Sequence, residues 1–239
     1  MTADTFIAPP CFEQIQILFE DQTLLVIDKP SGLLSLSGKN PANQDSVHFR
    51  LVQDYPSAKM VHRLDFGTSG VMVLALNKET NSNLTKQFQA RTVVKKYTAI
   101  LFGHLANDDG VIDAPIAKGE FPYQKVCDKT GKHAQSHYQV LQRLEDSVTG
   151  IKTTRVLFTP LTGRTHQLRV HSLAIGHPII GCDLYGHTIK DSKQINVLET
   201  KPLAKRLALH AVSLEFDHPM TEERMIIESA KQLSALLIA

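Results

Sequence analysis

The strongest constraint in this chain is an apolar run that begins directly after a polar loop. Val71-Met72-Val73-Leu74-Ala75-Leu76 is short and rich in branched residues, so it reads as a buried strand. The loop before it, His62-Arg63-Leu64-Asp65-Phe66-Gly67-Thr68-Ser69-Gly70, carries two glycines that let the backbone turn before the sheet begins. Asp65 therefore sits beside Arg63 at the mouth of a rigid element. A neighbouring cation favours the charged form of a carboxylate. An ionised, positioned carboxylate can act as a nucleophile or a base. From these residues alone, a turn-capping or ion-paired Asp65 is the more ordinary reading.

Composition narrows the class. The chain has 239 residues and a net charge of +2, with no apolar run near the roughly 20 residues that a spanning helix needs. Met1-Thr2-Ala3-Asp4 lacks the basic flank and apolar core of a signal peptide. The three cysteines, Cys11, Cys127 and Cys182, are widely spaced and give neither a disulfide framework nor a metal knuckle. They fit a reducing compartment, so a cytoplasmic protein is expected. Charge is uneven: Lys78, Lys86, Arg91, Lys95 and Lys96 face only Glu79 over one stretch, and Lys118, Lys125, Lys129 and Lys132 form another cluster. Such clusters are either solvated faces or contacts for nucleic-acid phosphates.

Along the chain, residues 1–16 read as an irregular arm, and 17–239 as a single domain. Strands are expected over 17–20 and 23–29, split by an acidic turn, with Lys29-Pro30-Ser31-Gly32-Leu33-Leu34 as a closing loop. Residues 45–54 read as a helix started by Gln44 or Asp45 and stopped at Tyr55-Pro56. Asn77 caps a helix over 78–91 in which Leu84 and Phe88 pair. Residues 93–103 form a strand, with Lys95, Tyr97, Ala99 and Leu101 on one face. The stretch 115–135 is basic, with Gly119 and Gly131 as turn points ahead of 138–141, and 155–161 is another strand. Residues 187–204 are a polar insertion, 209–219 a strand, and 233–238 a helix-like apolar tail.

A second dense motif is Thr162-Gly163-Arg164-Thr165-His166-Gln167-Leu168-Arg169-Val170-His171. Thr165 is expected to cap a helix over 166–175 that Gly176 ends in a left-handed turn. Arg169 then lies in the first turn, where the helix dipole prefers anions. A negatively charged partner is implied, either Asp65 or a phosphate. Among eleven histidines, His133/His137 and His166/His171 have zinc-compatible spacings. No cysteine is near either pair, so no metal is expected. No phosphate loop or nucleophile elbow occurs.

The Asp65 loop, the Lys29-to-Leu34 element, Lys96-Tyr97, the Arg164-to-Arg169 motif, His177-Pro178-Ile179-Ile180-Gly181 with Leu184-Tyr185-Gly186, and Leu209-His210-Ala211 resemble, in order, the motifs of the RluA-type pseudouridine synthases. The resemblance covers about residues 17–219. It departs at Cys182, where the family pattern has Asp and this chain has its acid, Asp183, one place later, so no role is read for that acid, and in the tail from Met225. It implies an α+β fold with a central, largely antiparallel (mixed) sheet flanked by helices, without the separate amino-terminal RNA-binding domain that many relatives carry. It implies isomerisation of uridine to pseudouridine without a cofactor, acting as a monomer on a transfer RNA anticodon stem-loop and a large-subunit ribosomal RNA hairpin, and no membrane. Catalysis would rest on Asp65, Tyr97 and Arg169, with Arg169 pairing Asp65. Arg63 would enter the gap left by an everted base, and His62, Arg164, His166, Lys95 and Lys96 would contact RNA. An RNA-binding module without catalysis, and a metal hydrolase, are the rival classes.

Overall fold

A computed structural model describes residues 6–147, 150–186, 204–231 and 233. They fall into two compact units. The described residues through Lys95, with Ala211–Lys231, make unit 1; Lys96–His210, with Leu233, make unit 2.

In unit 1 the chain forms β1 (Gln16–Glu20) and β2 (Leu24–Lys29), α1 (Val47–Leu51), β3 (Lys59–Met60), β4 (Ser69–Ala75) and α2 (Lys78–Ala90). The acidic turn between the first strands is closed by Asp21, whose Oδ1 accepts from the N–H groups of Thr23 and Leu24 at 2.7 Å each. β2 and β4 are buried along their whole length and pair antiparallel, Val26 opposite Val73, which explains their unbroken apolar runs. β1 and β3 flank them on β2 and β4. Leu24, Val26, Val71, Val73 and Leu84 centre the core of this unit. Asn77 caps α2 as expected, accepting from Thr80 N at 2.8 Å, and Leu84 is fully buried beneath the helix. Burying one such side chain contributes about 2 kcal/mol.

Two local expectations need correction here. α1 is shorter than the 45–54 reading and starts from Ser46, whose hydroxyl accepts from Phe49 N at 3.1 Å. Gln44 and Asp45 do not cap it, and Asp45 instead pairs with Arg50 at 2.7 Å. Of the two loop glycines, only Gly70 has a positive φ, +116. A Cβ there would lie 2.1 Å from the carbonyl oxygen of Ala211, so no side chain fits where the loop enters β4.

Unit 2 opens with β5 (Val94–Phe102), whose first two residues belong to unit 1, and continues with β6 (Asp109–Asp113), β7 (Ile116–Lys118), β8 (Gln124–Val126), β9 (Gln135–Glu145), β10 (Lys152–Pro160) and α3 (Gln167–Ala174). β5, β10, β9 and β6 lie side by side in that order, all antiparallel, while β7 and β8 make a separate hairpin. β9 and β10 run on toward each other beyond 138–141 and the expected strand 155–161. Ala99, Leu101, Val156, Phe158, Leu168 and Val170 anchor the core.

β11 (Leu209–Asp217) carries the chain back to unit 1, where β12 (Arg224–Glu228) folds onto it. The sequence reading took residues from Met225 as a divergent tail. They form a strand because Met225 and Ile227 alternate inward onto the unit 1 core. The insertion 187–203 and the tail 234–238 lie outside the described residues. Among the described residues no helix is long and apolar enough to cross a membrane. The architecture is α+β, as expected, with few helices on antiparallel sheet.

Candidate active site

Asp65 is half-buried, in the loop that leads into β4. What makes that loop rigid is the Lys29-to-Ser35 segment, which clasps it at successive residues. Ser35 Oγ donates to the Leu64 carbonyl at 2.7 Å and accepts from the Leu64 N–H at 3.2 Å. Gly32 N donates to the Phe66 carbonyl at 3.0 Å, and Ser31 Oγ to the Gly67 carbonyl at 2.7 Å. The arm adds an edge-on contact, Phe6 against Phe66 at 5.4 Å. Within the loop, Thr68 N donates to the Asp65 carbonyl at 3.1 Å.

Beneath the clasp lies Lys29, a lysine with no exposed surface. Its ammonium donates to the carbonyls of Pro30 at 2.9 Å, Leu33 at 2.7 Å and Phe66 at 3.2 Å. A buried cation is costly unless its donors are satisfied, and here three carbonyls answer three N–H groups. The end of β2, the Pro/Gly loop and the Asp65 loop are thereby pinned to one point. Sequence reasoning missed Lys29. The signal available was its position at the end of an apolar strand, immediately before Pro30.

His62 is placed otherwise than expected. Its ring stacks on Phe88 at 4.8 Å, and its Nε2 accepts from the Val73 N–H at 3.1 Å. Enclosure, then the nearby Lys95 charge, lowers its pKa to about 4. At neutral pH His62 is thus a neutral acceptor holding β4, not a cation for phosphate. Lys95 is itself lowered to about 8, by burial and then by Arg91, and stays mostly charged at neutral pH. Arg63 is exposed, as a residue meeting a ligand from solution should be.

In unit 2, Tyr97 is half-buried on β5, packed against the core and opposite Phe158 on β10. Arg169 lies in the first turn of α3 and is 4% exposed. Nη2 donates to Asp183 Oδ1 at 2.6 Å, Nε donates to the Cys182 sulfur at 3.3 Å, and Cζ lies 5.2 Å from the centre of the Tyr185 ring. Asp183, which sequence reasoning set aside, thus carries a negative charge to Arg169.

The turn before α3 also differs from expectation. Thr165 does not cap the helix. The N-cap is His166, at φ 56 and without a side-chain capping bond. The turn is held from within the helix by Gln167, whose Oε1 accepts from Thr162 Oγ1 at 2.7 Å and from Arg164 N at 2.9 Å. Its Nε2 donates to the Gln135 carbonyl at 3.0 Å and to Ser136 Oγ at 2.9 Å. Arg164 Nε donates to the His133 carbonyl at 3.0 Å. His166 Nδ1 lies 2.6 Å from the Tyr185 hydroxyl, which also accepts from Gln124 N at 2.9 Å. Gly176, at φ +81, follows the helix as expected. His171 is wholly buried, with one nitrogen on Ser136 Oγ and the other on the Ala114 carbonyl, both at 3.0 Å. Both of its nitrogens are therefore occupied by protein. Among the described residues no cluster of three metal-ligating side chains forms.

Two enclosed histidines, His62 and His171, set an acid limit. Burial lowers the pKa of His171, as it does that of His62, so each folded ring binds a proton more weakly than the unfolded chain does. As pH falls below the ordinary imidazole value of 6.5, the unfolded state takes up protons first and stability drops. The drop continues until the folded rings titrate, at about 4 for His62. His62 alone accounts for on the order of 3 kcal/mol at most. Urea midpoints measured from pH 7.5 down to 4.5 (roughly the titration range of these rings) should fall. The fall should be shallower in His62→Asn, whose amide can still accept from Val73. A slope unchanged by that substitution would refute the assignment.

Residues 23–174 match the family model described as RNA pseudouridylate synthase. The chain belongs to the RNA pseudouridylate synthase family. Over 205 residues it is 47% identical to a dual-specificity RNA pseudouridine synthase RluA of Yersinia pestis, covering 85% of this chain and 92% of that one. It is 43% identical over 213 residues to the protein of that name from Escherichia coli K12, covering 88% and 90%. Human RNA pseudouridylate synthase domain containing 1 superposes with a TM-score of 0.73 at 28% identity, over 93% of this chain and 86% of that one. As a pseudouridine synthase, the chain isomerises uridine to pseudouridine in RNA.

Proposed function

We propose that this pseudouridine synthase acts on two RNAs, a transfer RNA anticodon stem-loop and a large-subunit ribosomal RNA hairpin. The relatives described as dual-specificity support this reading. Its two units would serve as one catalytic domain, in a monomer in the cytoplasm.

The reaction breaks the bond from the sugar to nitrogen 1 of the base and forms one from the same sugar carbon to carbon 5. The carbon 5 proton leaves and nitrogen 1 gains one. Neither redox change nor energy input is involved, so no cofactor is needed. A uridine in a stacked loop must first be everted, at a cost of a few kcal/mol. In this reading Arg63 fills the gap it leaves, and Arg164, His166, Lys95 and Lys96 meet the RNA. Asp65 supplies the carboxylate, Tyr97 lies against the everted base, and Arg169 orients the carboxylate through its charge. The observation that carries the reading is the Asp65 loop, clasped at Leu64, Phe66 and Gly67, because a carboxylate so held is preorganised for one position. In this reading His62 holds β4 through the Val73 N–H and is left out of the RNA contacts.

The test is pseudouridine mapping of transfer and ribosomal RNA from cells with and without the gene, and of the same transcripts treated with purified protein. Loss of one uridine conversion in each RNA class, restored by the protein, is expected. Loss confined to one class would overturn the dual assignment.

A further inference from the structure

Arg169 has only 4% of its surface exposed, so its N–H groups must be answered within the protein. The side-on edge of its guanidinium, Nε with Nη2, is taken by two consecutive residues, Cys182 at 3.3 Å and Asp183 at 2.6 Å. A thiol sulfur is a weak, neutral acceptor, so of these two residues it is Asp183 that brings a charge. The Tyr185 ring limits the tilt of the guanidinium plane from one face. The ion pair is one-sided: the arginine side chain is 5% exposed and that of Asp183 is 68% exposed. Removing the carboxylate would leave the cation just as buried and take a charged partner from that edge.

We propose that Asp183 is a positioning residue for the isomerisation. It fixes the rotation of the Arg169 guanidinium and so the direction in which the Nη1 side is presented. The place where an acid is expected from the family pattern is filled by Cys182, and the acid one position later does this work instead. The proposal rests on Arg169 taking part in the reaction, as argued above.

The experiment measures single-substrate kinetics of pseudouridine formation on an anticodon stem-loop transcript. Asp183→Asn should lower kcat about 10- to 100-fold with little change in KM, as misorientation of a group near the reacting atoms does. Moving the acid back one place, in Cys182→Asp/Asp183→Asn, should recover most of the loss while melting temperature stays near that of the parent. Recovery is a readout that a merely structural role for Asp183 would not produce. A kcat for Asp183→Asn within about twofold of the parent overturns the proposal. So does a well-folded double variant that stays as slow as the single one. Arg169→Met separates the two ideas. If it turns over like the parent, the reading of Arg169 itself fails; if it is inactive while Asp183→Asn is fully active, only the positioning role fails.

Discussion

Asp65→Asn is expected to abolish pseudouridine formation while leaving RNA binding and the melting temperature unchanged. Asparagine matches aspartate in shape, and the bonds that clasp the loop at Leu64, Phe66 and Gly67 come from the Lys29-to-Ser35 segment. Ser35 with Leu64, Gly32 with Phe66, Ser31 with Gly67 and Thr68 with the Asp65 carbonyl all remain. The loss is therefore chemical, and should reach on the order of a thousandfold or more in kcat. Tritium release or mass spectrometry of the treated transcript reads it, with a filter-binding assay alongside. Turnover near the parent rate in the Asn variant would remove Asp65 from the chemistry.

The second large effect is expected for Lys29→Met. Methionine fills similar space but cannot donate, so the carbonyls of Pro30 and Leu33 lose a buried partner and that of Phe66 keeps only Gly32. Each orphaned carbonyl costs about 1–3 kcal/mol, which puts the total near 3–5 kcal/mol. Chemical denaturation should show this fall. Activity should fall further than the folded fraction does, because the anchor of the Asp65 loop goes with the ammonium. If Lys29→Met is as stable as the parent, the ammonium is not what holds the clasp.

Much of the fold was readable where neighbours in sequence decide the outcome. The Asn77 cap, the apolar pair Leu84 and Phe88, the left-handed Gly176 and the runs in β2 and β4 all depend on residues within a few positions. The misses share the opposite property. β6 holds two aspartates and a glycine, poor strand formers, and is extended because β9 supplies its ladder. The turn before α3 is set by Gln167 reaching Gln135 and Ser136, about thirty residues back, which no local pattern records. Thr165, the local candidate for the cap, is bypassed for that reason.

The candidate site divides in the same way. Asp65 stood out because a loop carboxylate before a buried strand is a local pattern. Lys29 did not, since lysine is almost never fully buried and an apolar strand ending in lysine ordinarily reads as reaching solvent. His62 was read as an RNA contact, and its bond to the Val73 backbone, which crosses eleven positions, leaves no mark in the local sequence. Asp183 was set aside because Cys182 occupied the place where a motif expects the acid, and sequence alone does not show that a carboxylate one residue on bends to the same guanidinium.

Unit 1 is assembled from two separate lengths of chain, and Gly70 meets Ala211 across that gap. A polypeptide emerging from the ribosome in order has made the aspartate loop long before the segment that β4 packs against. More than a hundred residues, all of unit 2 before Ala211 among them, must be translated in between. The nascent protein therefore matures late: a chain halted before residue 211 has the Asp65 loop but not the strand that completes its unit.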